Sequence, residues 1–435
     1  MMKFFFNIFN KIIDISLTIL GIIYYYIFIK YFPYQSIEKI ENHQFQKLRK
    51  LLIESGNNVP YYKNLFDKIE FIPERDFLSL DDIKKIPILT KEQIRKDPKN
   101  FINIKSKFYI TLKTSGSTGN PFKAKIGYSH WIIEQAVIWR QWKSFNYNFR
   151  DSIAILRSFA PKENEPLIKV DYLRNFIFYS PYHLNDKNME VYYRDMLSRR
   201  IKFLRGYPSS IKLFTDYCKR KNYKLHSLKG ILLASETLNR KDKNFIKDYF
   251  QVPVINHYGL AECIVMIGNI DNDNYLYNYD DYGYIEILQN NIHNRIIGTN
   301  LNNFTMPLIR YDTGDYVDTI SSGVKKDSKI NLKKISSILG RSNDEIIAGD
   351  KKIPLINIYT TFSGYEKIVK YQIIQQKRDL IKIIVMCNEI DQNEISNDIY
   401  KDMYFLKNDN IKIDIEFSQN FKRLSEGKIP SFIGL

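Results

Sequence analysis

The stretch Thr114-Ser115-Gly116-Ser117-Thr118-Gly119-Asn120-Pro121 decides how this chain is read. Only 18 glycines serve 435 residues, yet Gly116 and Gly119 fall here, inside a run of hydroxyl side chains. The preceding Phe108-Tyr109-Ile110-Thr111-Leu112 is apolar, β-branched or aromatic, the pattern of a strand. A strand that runs into a Gly/Ser/Thr loop presents backbone N–H groups and hydroxyls together, which suits a polyphosphate. No Gly-Lys-Ser/Thr closes the loop, and the next lysine, Lys123, follows Pro121-Phe122, so this is not a Walker A loop. Taken alone, such a turn is more often a plain connector. The segments around it carry the decision.

Downstream, short apolar runs alternate with helical patterns. Ile153–Leu156, Leu204–Gly206, Gly230–Ala234 and Val252–Asn256 read as strands, and Ile211–Lys221 as a helix capped by Ser209 or Ser210. This alternation predicts an α/β fold whose mixed sheets are covered by helices, with ligand-binding loops at the carboxyl ends of strands. Upstream, Glu38–Phe66 reads as helix with a break at Gly56-Asn57-Asn58-Val59-Pro60, and Thr90 starts a charged helix. Trp131–Phe145 reads as a helix carrying all three tryptophans on core-facing positions. From Tyr282 the texture changes to short β-pieces, Gly283–Leu288, Arg295–Thr299 and Asp315–Ile320. A tail follows Gly340-Arg341 with strands at Tyr371–Gln375, Ile381–Met386 and Ile411–Phe417, the size of a small α+β domain. The expected organisation is an apolar helix over 1–37, a large domain over 38–341, a hinge at 342–344 and a small mobile domain over 345–435.

The formal net charge is +17, but lysine is spread among Asn, Ile and Asp, and the clusters are as short as Lys219-Arg220-Lys221. No recognition module accompanies the charge, so a nucleic-acid partner is not expected. Cys218, Cys263 and Cys387 form no CxxC pair, which argues against a disulfide framework or a structural zinc ribbon and for a reducing, cytoplasmic setting. The uncharged run Ile15–Ile29 is shorter than the about 20 residues that span a bilayer. No small-residue cleavage site follows it. Two readings of residues 1–30 stand: a helix packed on the body of the protein, or a peripheral membrane contact through Tyr24–Tyr26 and Lys30.

Further segments accompany the opening loop. Ser235-Glu236-Thr237 ends one strand, and Tyr258-Gly259-Leu260-Ala261-Glu262 follows another. Arg310-Tyr311-Asp312-Thr313-Gly314-Asp315 ends in an acid beside a glycine, Gly340-Arg341-Ser342-Asn343-Asp344 sits at the texture change, and Ser425-Glu426-Gly427-Lys428 lies near the C-terminus. Nucleotide chemistry needs such parts: N–H and hydroxyl groups for phosphate, an aromatic for the base, carboxylates for ribose and Mg²⁺, and a cation for developing phosphate charge.

In this order and spacing the segments resemble the adenylate-forming enzymes, and most closely the phenylacetate–CoA ligase branch with its CapK-like members of capsular polysaccharide synthesis. Asn58-Val59-Pro60-Tyr61-Tyr62, Leu89-Thr90-Lys91-Glu92-Gln93-Ile94, Tyr182-His183-Leu184 and Gly206-Tyr207-Pro208-Ser209-Ser210 look like that branch too. The resemblance implies an AMP-forming ligase that uses ATP and Mg²⁺ to make an acyl-adenylate and hands the acyl group to coenzyme A. A sugar or carrier acceptor within surface-polysaccharide synthesis is the alternative, and an inactive membrane-attached scaffold a second. It implies that Thr114, Ser115, Gly116, Ser117, Thr118 and Gly119 clamp the triphosphate, that Ser235, Glu236 and Thr237 border the adenine, and that Tyr258 and Gly259 lie against it. Glu262 is then the Mg²⁺ ligand and Asp315 the ribose acceptor. Arg341 contacts ribose or phosphate, Asn343 lies in the hinge, and Lys428 reaches the α-phosphate and the substrate carboxylate. Ala261 and Asn343 depart from the family pattern, the first removing a hydroxyl toward AMP phosphate. Ser158–Tyr182 and Asn256–Ile264 are expected to line the acyl pocket, with Phe159, Phe176, Phe178, Tyr179 and Tyr182 pointing to an apolar or aromatic acid.

Overall fold

Helix starts are set by caps that the sequence supplies. Ser36 accepts from the Lys39 N–H to open Ile37–Asn58, and Pro60 restarts the chain as Pro60–Lys68 at the expected break. Thr90 and Gln93 exchange hydrogen bonds in a capping box ahead of Lys91–Lys96. A computed structural model describes residues 2–113, 123–161, 164–270, 275–289, 294–317, 320–321, 330–341, 345–348, 351–354, 365, 367–387, 389–403, 411–423 and 429–435. The chain divides into two units, Met1–Tyr147 with His257–Ile338, and Asn148–Asn256 with Leu339–Leu435.

In the first unit, helix Met2–Tyr24 and the π-helical turn Tyr25–Ile29 pack along helix Tyr128–Ser144. Gly21 permits the close approach, since a Cβ there would stand 2.6 Å from Gln135 Cβ. Arg140 and Asp281 form a buried two-pronged ion pair at 2.6 and 2.9 Å beneath this contact. Helices Ile37–Asn58 and Pro60–Lys68 bury Leu48, Leu51, Leu52, Tyr62 and Phe66 against Tyr284, Leu301 and Ile309. Those last residues belong to or flank an antiparallel meander of Gly283–Gln289, Asn294–Asn300 and Tyr311–Val317. Strand Tyr109–Lys113 pairs with Lys123–Gly127, Lys113 opposite Lys123. The hydroxyl-rich stretch that joins them falls outside the described residues.

The second unit is built on parallel strands Ile153–Leu156, Phe203–Gly206 and Gly230–Ala234. Phe176–Tyr179 adds to the first in parallel, and Ile168–Asp171 adds an antiparallel edge. Helices Asp186–Ser198, Pro208–Lys221 and Arg240–Phe250 contribute Met189, Phe214 and Ile246 to the same core as Ala154, Leu204 and Ile231. Burial on both faces explains why these strands are continuous apolar runs instead of alternating ones. Toward the C-terminus, Lys412–Phe417, Leu380–Met386, Lys370–Lys377 and Phe432–Ile433 form a sheet in that order, with helix Gln392–Asp402 supplying Ile395 and Ile399 to its core.

Three expectations shift. The strand expected at Asp315–Ile320 is Tyr311–Val317, because Tyr311, Asp315 and Val317 are its buried positions and the polar residues between them are partly exposed. The strand expected at Val252–Asn256 is Val254–Gly259, the carbonyl of Pro253 being used instead by the Ile231 N–H. Ser209 and Ser210 do not cap a helix at Ile211. The helix begins at Pro208, whose missing N–H suits the first turn, and Ser209 serves a different partner.

Candidate active site

The candidate residues fall at strand ends in both units. In the first unit, the end of strand Val254–Gly259, from His257 on, turns back into Met266–Gly268, with Tyr258 opposite Ile267 and Gly259 opposite Met266. Glu262 sits in that turn, 4% exposed, and accepts a 3.2 Å hydrogen bond from the Tyr311 hydroxyl. Lys91 Nζ stands 3.5 Å from the same carboxylate oxygen, Oε1. An isolated bridge between Leu89 and Tyr311 puts the start of helix Lys91–Lys96 beside the strand that carries Tyr311. Lys91 and Tyr311 lay within quoted motifs, but the sequence held no signal for their converging on Glu262.

Asp315 lies on the same strand as Tyr311, 5% exposed. Its Oδ2 accepts a 2.7 Å hydrogen bond from the Tyr258 hydroxyl. Burial, with Asp315 beside it, pushes the Tyr258 phenol well above its ordinary value, so it stays protonated and donates. Burial and the Glu262 charge likewise raise Tyr311. Each of the two predicted acids is thus held by a tyrosine from the motif of the other. An ionised carboxylate has about four lone-pair sites, so one tyrosine hydroxyl does not by itself saturate such a group.

In the second unit, the carboxyl ends of the parallel strands converge. Ser158, following Ile153–Leu156, lies 2.9 Å from the Tyr207 hydroxyl, which follows Phe203–Gly206. Glu236, following Gly230–Ala234, accepts from the Ser209 backbone N–H at 2.9 Å and from its hydroxyl at 3.0 Å. The Glu236 carboxylate therefore sits at the N-terminus of helix Pro208–Lys221, where orphan N–H groups favour an anion. Ser235 is left-handed, with φ of 72°, an uncommon conformation for a non-glycine residue at a strand end. Desolvation brings the Lys370 ammonium down to about 8, with Glu236 opposing the shift.

The expected acyl-pocket aromatics separate into two groups. Tyr179 is fully buried and donates to Asp195 at 2.8 Å, which makes it a core residue. Phe159 and Phe178 are half-buried and meet edge to face at 6.3 Å. Among the other expected site residues, Thr114, Ser115, Gly116, Ser117, Thr118, Gly119, Asn343 and Lys428 lie outside the described residues. Arg341 ends strand Ile338–Arg341, and Thr237 is exposed at the strand end after Ser235.

No family model matches the chain. It is 24% identical over 411 residues to Protein CapK of Staphylococcus aureus, covering 90% of this chain and 87% of that one. It is 22% identical over 368 residues to phenylacetate-coenzyme A ligase of Escherichia coli K12, covering 78% of each. Its fold matches a crystal structure of 2-hydroxyisobutyryl-CoA ligase in complex with R3-HIB-AMP at a TM-score of 0.65, with 12% identity, over 92% of this chain and 90% of that one. The chain is thus similar in sequence to CapK and the phenylacetate–CoA ligases, and it shares the fold of an acyl-CoA ligase solved with an acyl-adenylate.

Proposed function

We propose that the protein is an AMP-forming ligase, which uses ATP to convert a carboxylic acid to an acyl-adenylate and then passes the acyl group to coenzyme A. The observation that carries this reading is the pair of buried carboxylates, Glu262 and Asp315, each accepting a hydrogen bond from a tyrosine of the other's motif. Asp315 would take the ribose hydroxyls, and Tyr258, with its hydroxyl anchored, would offer its ring to the adenine. Glu236 and its strand-end neighbours Ser235 and Thr237 would border the base. The Ser/Gly/Thr loop from Thr114 to Gly119 would hold the phosphates, Arg341 would contact ribose or phosphate, and Lys428 would reach the α-phosphate.

Glu262 fits Mg²⁺, a hard cation commonly held by one or two carboxylates together with substrate phosphates. When bound, Mg²⁺ supplies positive charge to the phosphate oxygens. Tyr311 and Lys91 orient the carboxylate for it, and Lys91 is placed to move aside or share it. The small C-terminal domain would close over the site about a hinge at 342–344.

The likeness to Protein CapK keeps a second acceptor in view, a sugar or a carrier instead of coenzyme A. The test is carboxylate-dependent ATP–pyrophosphate exchange across a panel of acids, followed by addition of coenzyme A. Exchange with a subset of acids and none without acid is the expected result, with thioester formed on adding coenzyme A. Measurable ATP binding without exchange on any acid would instead favour the scaffold reading.

We also propose that the N-terminal helix rests on an anionic lipid surface. Leu17, Gly21, Tyr25, Ile29 and Phe32 face the protein, while Ile19, Leu20, Ile23, Tyr26, Ile27, Phe28, Tyr31 and Tyr34 are exposed. An 18-residue stretch within Ile13–Tyr34 has a mean hydropathy of 1.6 with 28% of it buried, and Lys30 Nζ lies 4.8 Å from the Tyr31 ring. Aromatic rings around a lysine suit the headgroup level, and the +17 charge favours anionic lipid. Replacing Ile23, Ile27 and Phe28 together by serine should release the protein from phosphatidylglycerol vesicles in a sedimentation assay. Unchanged sedimentation would refute the contact.

A further inference from the structure

Beside Glu262, three other side chains bring different ligand atoms together. His130, Glu134 and Cys263 each offer one atom, a ring nitrogen, a carboxylate oxygen and a sulfur, and these lie within 4.8 Å of one another. His130 and Glu134 are four residues apart on helix Tyr128–Ser144, so they share a face. Cys263 follows Glu262 in the turn and is left-handed there, with φ of 53°.

The protonation of His130 follows from its contacts. It is fully buried, and its Nε2 lies 2.9 Å from the Cys263 carbonyl oxygen. A carbonyl only accepts, so Nε2 carries the hydrogen. A second proton, on Nδ1, would be buried with no acceptor among the described residues, so the ring is neutral. Nδ1 is then a bare lone pair, and it is buried with no hydrogen-bond partner among the described residues. A backbone carbonyl fixing one ring nitrogen while the other stays free is the arrangement that orients metal-bound imidazoles. Glu134 is part-buried and accepts a hydrogen bond from the Tyr282 hydroxyl.

We infer that His130, Glu134 and Cys263 form a zinc site that ties helix Tyr128–Ser144 to the turn holding Glu262. A neutral imidazole, a carboxylate and a thiolate sum with a divalent cation to zero charge, which suits a buried cluster. Mixed imidazole and thiolate ligands favour zinc over magnesium or calcium. Zinc–ligand distances of about 2.0–2.3 Å require the three groups to close in by about an ångström, with water or the Tyr282 phenol completing a tetrahedron. The zinc acts through position. It leaves Glu262 free for the proposed Mg²⁺ and holds its turn in place, and the inference goes beyond the ligase reading.

Full-length protein equilibrated with buffered zinc and then dialysed should retain about one zinc per chain by elemental analysis. Cys263→Ala and Glu134→Gln should each lower that at least about tenfold, while Glu262→Gln should keep it. Cobalt in place of zinc should give a thiolate-to-cobalt charge-transfer band in the unaltered protein, which decides the matter even if a variant misfolds. None of these readouts needs ATP or an acid, so they stand apart from the success or failure of the ligase reading. Wild-type protein holding less than about a tenth of an equivalent and showing no such band would overturn the site. So would zinc that survives Cys263→Ala in a folded protein, or that is lost with Glu262→Gln instead.

Discussion

Lys428→Ala should lower carboxylate-dependent ATP–pyrophosphate exchange by about 10²–10³-fold, the loss that follows removal of one preorganised charge at a reacting centre. The expectation rests on the ligase reading and on a simple electrostatic argument. When a carboxylate oxygen attacks the α-phosphorus, two anions approach each other and charge builds on the phosphoryl oxygens. A single ammonium placed between them opposes that repulsion most strongly at the transition state, in a site from which water is excluded. The effect should therefore fall mainly on kcat, with a smaller change in KM for ATP, because Asp315 and the phosphate loop would bind the nucleotide without it. Lys428→Arg keeps the charge but spreads it over a planar fork, and should recover only part of the loss. Exchange within about threefold of wild type in Lys428→Ala would remove this residue from the proposed mechanism.

Much of the scaffold was legible because its physics is local. Gly230–Ala234 is a run of apolar residues that only a strand covered on both faces explains, and it is found at those residues. The Thr90 cap, the break before Pro60 and the strand at Ile153–Leu156 are likewise written in a few adjacent side chains. What escaped the sequence is contact across long separations. Tyr311 meets Glu262 and Tyr258 meets Asp315 because two strands far apart in the chain lie near each other, and no local pattern encodes that. Ser209 illustrates the same limit. A serine early in a helix reads as a cap, yet here its hydroxyl is spent on Glu236, 27 residues away. In the N-terminal helix one stripe packs on helix Tyr128–Ser144 and another apolar stripe is exposed, a division that the sequence alone did not reveal. Arg310 was quoted within a nucleotide motif, but its side chain turns out to hold the scaffold.

Arg310→Met should destabilise the first unit by about 3–5 kcal/mol, the usual consequence of leaving one partner of a buried ion pair alone. Arg310 and Glu286 are only 8% and 7% exposed, and the guanidinium reaches the carboxylate through Nε at 3.1 and 3.0 Å and through Nη2 at 2.9 Å. Its remaining nitrogen, Nη1, donates to the carbonyls of Lys84 and Ile86. One side chain thus fastens the segment before Lys91 to the meander, directly ahead of the strand bearing Tyr311 and Asp315. The backbone is committed as well, since Arg310 is left-handed at φ of 52° and its N–H donates to Thr299 Oγ1 at 2.9 Å. In the methionine variant Glu286 would face a buried site without its cation, and two carbonyls would lose a donor. For a unit of roughly 200 residues this corresponds to a fall in Tm of about 6–20 °C. The double variant Arg310→Met with Glu286→Leu should recover most of the loss, because it removes the stranded charge, but not all of it, because the Lys84 and Ile86 carbonyls remain unpaired. Urea unfolding of the wild type and these two variants measures both numbers. A single variant as stable as wild type, or a double variant no better than the single, would show that the pair does not hold this part of the fold. Because Lys91 and Tyr311 converge on Glu262 through this same junction, Arg310→Met should also weaken exchange at temperatures where the unit is still folded.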